Sequence, residues 1–103
     1  MKTWLVSRHP GTIAWFEQND IHVNEVIEHL DGQKTQYWRS GVFGILPIHL
    51  IADLNTQGVE YVHLALTVPH DLRGQELSPG DMDRCQPRLE VFSVQRLGAF
   101  SFS

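Results

Sequence analysis

The sequence predicts an α/β layer fold with a mostly parallel sheet. Three observations carry this. Two strand–helix–strand units follow one another, over Trp4 to about Ile27 and over Val42 to Val68. The run Val42-Phe43-Gly44-Ile45-Leu46 is continuously apolar, as expected for a strand covered on both faces. Between the strands, apolar residues recur at helical spacing.

Each element has its own signal. Trp4-Leu5-Val6-Ser7 is a short apolar run ending in a polar residue, and it reads as the first strand. Arg8-His9-Pro10-Gly11 breaks it. Pro10 suits the first turn of a helix, where a missing N–H costs nothing. Ile13, Ala14, Trp15 and Phe16 give that helix an apolar face, and Asn19-Asp20 closes it. Ile21 to Leu30 is compatible with strand or helix, and Val23 and Val26-Ile27 favour strand. Asp31-Gly32-Gln33-Lys34 is a polar turn. After the apolar run, Pro47 opens a helix with Ile48, Leu50, Ile51 and Leu54 on its buried side. Glu60 to Val68 is the clearest strand, ended by Pro69. His70 to Asp83 is polar and reads as a loop, with Pro79-Gly80 as a turn. Leu89 to Val94 alternates with period two, giving a last strand, and Gly98 to Ser103 is expected to be frayed or loosely packed.

Composition narrows the functional classes. The 103 residues suit a single domain spanning 1–103. Hydrophobic residues make up 42%, enough for one core, and charged residues 19%, too few for a solvating tail. The balance of 8 basic against 12 acidic residues leaves a net charge of -4. A generic binder of long nucleic acid needs clustered Lys and Arg, so that class is excluded. A small phosphate ligand held by a few placed groups is not. Cys85 stands alone, which excludes an intramolecular disulfide and a multi-cysteine zinc site, and the expected compartment is cytoplasmic. No signal peptide is read at the N-terminus, and no run approaches the roughly 18 apolar residues of a membrane span. The six histidines include no His-x-x-x-His or His-Glu-x-x-His pair, so no metal and no cofactor are expected.

In parallel sheets ligands bind beyond the carboxyl ends of the strands, near a switch in strand order. Three loops, beginning at Ser7, Leu46 and Val68, therefore hold the candidates. Ser7-Arg8-His9-Pro10-Gly11 offers a hydroxyl, a permanent cation and an imidazole just before a helix N-terminus, a combination suited to phosphate. A solvated surface turn is the competing reading. Gly44, Leu46 and Pro47 form the second loop, where Gly44 implies close approach by a ligand or by another backbone. The third loop places Arg73 and Gly74 beside Asp71 and Glu76, carboxylates that could orient the guanidinium; a solvated charged loop is the alternative. Arg8 and Arg73, arriving from separate loops, would together make an anion site. Trp4, Trp15, Tyr37 and Trp38 could stack on bases, with core packing the default for the first two.

Trp4, Ser7-Arg8-His9-Pro10-Gly11, Trp15, His29-Leu30, Gly44-x-Leu46-Pro47, His63-Leu64 and Arg73-Gly74-x-Glu76-Leu77 together resemble the Csx-sixteen family of small type III CRISPR-associated proteins. The resemblance runs from about Thr3 to about Val94. It implies a small Rossmann-like, CARF-like fold of three layers, a homodimer, and a cyclic oligoadenylate ligand, most simply cyclic tetra-adenylate. It also implies ring nuclease activity, which linearises this second messenger and switches off the antiviral response.

Such a reaction needs no metal, because RNA carries its own nucleophile in the ribose 2′-hydroxyl. On this reading Arg8 and Arg73 meet phosphate, and His9 is the first candidate for proton transfer. Ser7 bonds the phosphate or the 2′-hydroxyl. Pro10, Gly11, Gly44, Leu46, Pro47, Gly74 and Glu76 complete the ligand site. The principal rival is a non-catalytic protein that binds and sequesters the same ring. A more distant one is an interaction module of a CRISPR effector complex.

Overall fold

The computed structural model of the protein describes residues 2–30 and 40–102. Strand β1 (Thr3–Val6) leads into helix α1 (Pro10–Gln18), and the chain returns as β2 (Glu25–Ile27). Strand β3 (Gly41–Gly44), helix α2 (Ile48–Thr56) and strand β4 (Glu60–Ala65) form the second unit. A 3-10 turn (His70–Leu72), helix α3 (Pro79–Arg84) and strand β5 (Arg88–Phe92) complete the order. The sheet runs β2-β1-β3-β4-β5; the first four strands are parallel and β5 is antiparallel to β4. This is a small Rossmann-like α/β fold, as the alternation of elements predicts.

Period two along the strands divides the core between the two faces of the sheet. Trp4, Val42 and Tyr61 lie in one cross-strand row and pack with Ile51 and Leu54 of α2. Leu5, one residue along β1, points to the other face and packs with Leu64, with Trp15 and Phe16 of α1, and with Met82 of α3. Burial of each such large side chain contributes about 1.5–3 kcal/mol. Trp4 and Trp15 are therefore core residues, and Trp15 also ties α1 to α3 through a bond from its Nε1 to Asp83 Oδ1 at 3.3 Å.

Helix α1 begins at Pro10 and stops where Asn19 Nδ2 bonds Trp15 O at 2.8 Å and Asp20 turns to a φ of 57°. Gly11 permits its packing against the third loop: a Cβ there would lie 1.8 Å from Leu77 O.

Several expectations are corrected. Val23 lies outside β2, which has only three residues. Strand β3 ends at Gly44 rather than Leu46, because the Leu46 N–H is taken by the Tyr61 hydroxyl instead of a strand neighbour. Strand β4 ends at Ala65, short of Val68. Ile48 is exposed: the first turn of α2 stands at the carboxyl edge of the sheet, and the core lies under Ile51, Ala52 and Leu54. Pro79-Gly80 is not a turn but the start of α3. Ser78 Oγ accepts from Asp81 N while the Asp81 carboxylate accepts from Ser78 N, both at 3.1 Å, a reciprocal cap legible as Ser-x-x-Asp. The turn read at Asp31 to Lys34 and the aromatics Tyr37 and Trp38 lie outside the described residues.

Candidate functional site

The chain goes from β1 to β2 on one side and then crosses to β3 on the other side of β1. Strand order therefore switches between β1 and β3, and a crevice opens at their carboxyl ends. A cleft of about 450 Å³ occupies this position. Ser7, Arg8 and His9 rise from β1 at its centre, with Thr12 of α1 behind them. Gly44, Ile45, Leu46 and Pro47 form one wall, and Glu28, His29 and Leu30, which follow β2, form the other.

The first loop is held at its base and open at its tip. Ser7 N donates to Ile27 O at 2.9 Å, continuing the β1–β2 ladder by one residue. Ser7 Oγ accepts from His9 N at 3.1 Å, which bends the loop and leaves the hydroxyl hydrogen to donate outward. Arg8 and His9 are exposed, and neither side chain has a hydrogen-bond or ion-pair partner among the described residues. An unengaged guanidinium and an imidazole thus share one cleft with a hydroxyl, which can bind an oxyanion and move a proton beside it.

The second loop is braced from below by Tyr61. Leu46 N donates to Tyr61 Oη at 2.9 Å, and Tyr61 Oη donates to Gly44 O at 2.9 Å. His63 Nδ1 lies 2.7 Å from the same oxygen. The phenol has one hydrogen, given to Gly44 O, so Nδ1 of His63 must carry the hydrogen in its contact. Burial pushes the Tyr61 phenol above its ordinary value of 10.0, and the bond from Leu46 opposes part of that rise. Gly44 fits tightly against β1, where a Cβ would stand 3.2 Å from Val6 O.

Of the expected site residues, Ser7, Arg8, His9, Gly44, Leu46 and Pro47 line this cleft together. Pro10, Gly11 and Glu76 do not; they line a separate groove of about 400 Å³ where α1 meets the start of α3. Arg73 and Gly74 line neither, so the structure does not bring Arg73 beside Arg8 in this cleft. The cause is topological. Strand β4 lies beyond β3 from β1, and the segment after it is drawn over α1, where Leu77 packs on Gly11. Asp71 does not orient Arg73 either: both its oxygens are bonded by Arg84 Nη2, at 3.2 and 2.9 Å.

Glu28 and His29 are the cleft residues that loop-by-loop reading missed. The segment Ile21–Leu30 did not declare where its strand ended, so the loop after β2 had no place. Ending that strand at Ile27 would have placed His29-Leu30, already among the matching motifs, in the loop after β2 with Glu28 beside it. Among the described residues no group of three or more His, Cys, Asp or Glu could hold a metal ion, and no helix is long and apolar enough to cross a membrane.

A family model described as "Putative CRISPR-associated protein (Cas_VVA1548)" matches residues 4–95. The chain belongs to this CRISPR-associated family. The match takes in β1 to β5, and with them both walls and the centre of the cleft. No curated protein and no solved structure matches the chain.

Proposed function

We propose that the protein is a metal-independent ring nuclease of the Csx-sixteen type, with a CARF-like fold, acting on cyclic oligoadenylate, most simply cyclic tetra-adenylate. The observation that carries the reading is the cluster of Ser7, Arg8 and His9 in the switch-point cleft of a CRISPR-associated chain. Net charge fits as well: a small ring needs a local cation, not a basic surface.

The reaction follows from these groups. The ribose 2′-hydroxyl attacks the adjacent phosphorus, the bond to the 5′-oxygen breaks, and a 2′,3′-cyclic phosphate and a 5′-hydroxyl result. Arg8 binds the phosphoryl oxygens and stabilises charge as it builds. Ser7 donates to the same phosphate, and its bond to His9 N fixes the loop. His9 transfers a proton. Gly44, Leu46 and Pro47, held by Tyr61, shape the opposite wall and set the ring in line for attack.

The volume of one cleft is in the ordinary small-molecule range of ~300–1,000 Å³, less than a four-nucleotide ring occupies. A symmetric homodimer with the ring at its two-fold supplies two clefts. Light scattering with and without ligand tests this, and a monomer under both conditions refutes it.

The deciding experiment incubates purified protein with cyclic tetra-adenylate in EDTA and separates the products by chromatography. A ring nuclease returns linear product. A sequestering protein returns intact ring after denaturation. Activity abolished by chelation and restored by magnesium or manganese refutes the metal-independent route.

A further inference from the structure

We infer that His29 is a second proton-transfer group, paired with His9 across the bound phosphodiester; this rests on the ring nuclease reading above. Cleavage by a 2′-hydroxyl moves two protons. One leaves the nucleophile as the O2′–P bond forms, and one reaches the 5′-oxygen as the P–O5′ bond breaks. In an in-line displacement these oxygens lie on opposite sides of phosphorus, so a single imidazole on the β1 loop is poorly placed to serve both.

The fold supplies a group on a second side. Val6 pairs with Ile27, and Ser7 N bonds Ile27 O at 2.9 Å, so β1 and β2 reach the carboxyl edge in register. Adjacent strands lie ~4.8 Å apart. Glu28 and His29 therefore emerge beside Ser7 and Arg8, and all four line the cleft. Among the described residues, the titratable and charged groups lining it are Arg8, His9, Glu28 and His29. Arg8 presents a planar fork of N–H donors, which suits the phosphate. Glu28 brings a carboxylate, which as a carboxylate has no proton to give. Imidazoles can accept a proton or give one, so His9 and His29 form the base and acid pair. The imidazole that accepts the 2′ proton ends as imidazolium, the one that protonates the 5′-oxygen ends neutral, and exchange with water resets both.

The test is single-turnover cleavage of cyclic tetra-adenylate across pH, with a parallel binding assay, for wild type, His9→Ala, His29→Ala, His29→Gln and Glu28→Gln. His29 is exposed, so its variants are expected to melt with wild type. Wild type should give a bell-shaped profile. His29→Ala and His29→Gln should each cleave roughly 10²–10⁴-fold more slowly, lose the limb that His9→Ala retains, and bind within about threefold of wild type. A His29→Ala rate within that same margin, or a profile keeping both limbs, overturns the pairing. So does a limb lost in Glu28→Gln but kept in both His29 variants, or a loss confined to binding. A wild type that leaves the ring intact overturns the nuclease reading and this pairing together, whereas each of the other outcomes leaves that reading standing.

Discussion

The first and third loops start alike and end as different devices. Each follows a parallel strand and carries an arginine and a glycine within a few residues: Arg8 and Gly11 in one, Arg73 and Gly74 in the other. The first stands at the switch in strand order. Its arginine and histidine have no partners among the described residues and face a cleft. The third is a strap. Arg84 grips Asp71, Ser78 and Asp81 cap α3, and Leu77 seats on Gly11. An arginine beside a glycine is thus not in itself an anion site; its place relative to the switch point decides.

The largest expected effect lies in the first loop. His9→Ala should slow single-turnover cleavage by roughly 10²–10⁴-fold and leave ring binding nearly intact. If binding and melting temperature fall together instead, His9 packs or caps rather than transfers a proton.

The two arginines provide the next comparison. On the proposed reading Arg8→Ala removes charge-assisted bonds to phosphate, each worth about 1.5–3 kcal/mol, and so should weaken ring binding about 10- to 100-fold. Arg73→Ala should change affinity by no more than about threefold, as for an ordinary surface residue. Calorimetric titration of both variants measures this. Equal losses would place Arg73 at the ligand after all.

The two glycines differ in kind, and thermal melting separates them. Gly11→Ala drives a methyl into Leu77 O and should cost about 1–3 kcal/mol, despite the gain in helix propensity. Gly74 has open space around it but a φ of 75°. Gly74→Ala should cost about 1 kcal/mol. At ~4–8 °C per kcal/mol for a domain of this size, Gly11→Ala should melt several degrees lower than Gly74→Ala.

The smallest effect is a difference in pH dependence between the cleft wall and the strap. The folded state raises the Tyr61 phenol above its ordinary 10.0. Its contribution is therefore fully present below that value and is lost as pH rises through the folded one. Urea melts above and below pH 10.0 should show an alkaline loss in wild type that is absent in Tyr61→Phe. The variant starts lower, because Leu46 N–H and Gly44 O lose their partner. An alkaline loss equal in both proteins would remove Tyr61 as its source.

Particular residues show why the sequence was readable in some places and not in others. Pro10, the Ile13–Phe16 face and Asn19-Asp20 place α1 correctly because caps and periodicity act locally. Ser78-x-x-Asp81 is equally local but sits in a polar stretch, so apolar periodicity passed over α3. Strand β2 was hard to bound because it is short, with Glu25 and Val26 exposed; its partner β1, not its own pattern, fixes where it ends and where His29 emerges.

By itself the sequence determined the alternation of strand and helix, the parallel sheet that this alternation requires, and the hydroxyl, cation and imidazole at the end of β1. These depend on short-range steric preferences and on the period of the apolar residues. The tertiary structure decided which loops meet. The pairing of β2 and β3 on either side of β1 set Glu28–Leu30 and Gly44–Pro47 around Arg8, Tyr61 fixed one wall through bonds to residues 15 and 17 positions away, and Gly11 drew the third loop onto α1. Strand order and close backbone approach join residues distant in the chain, and no local pattern encodes them.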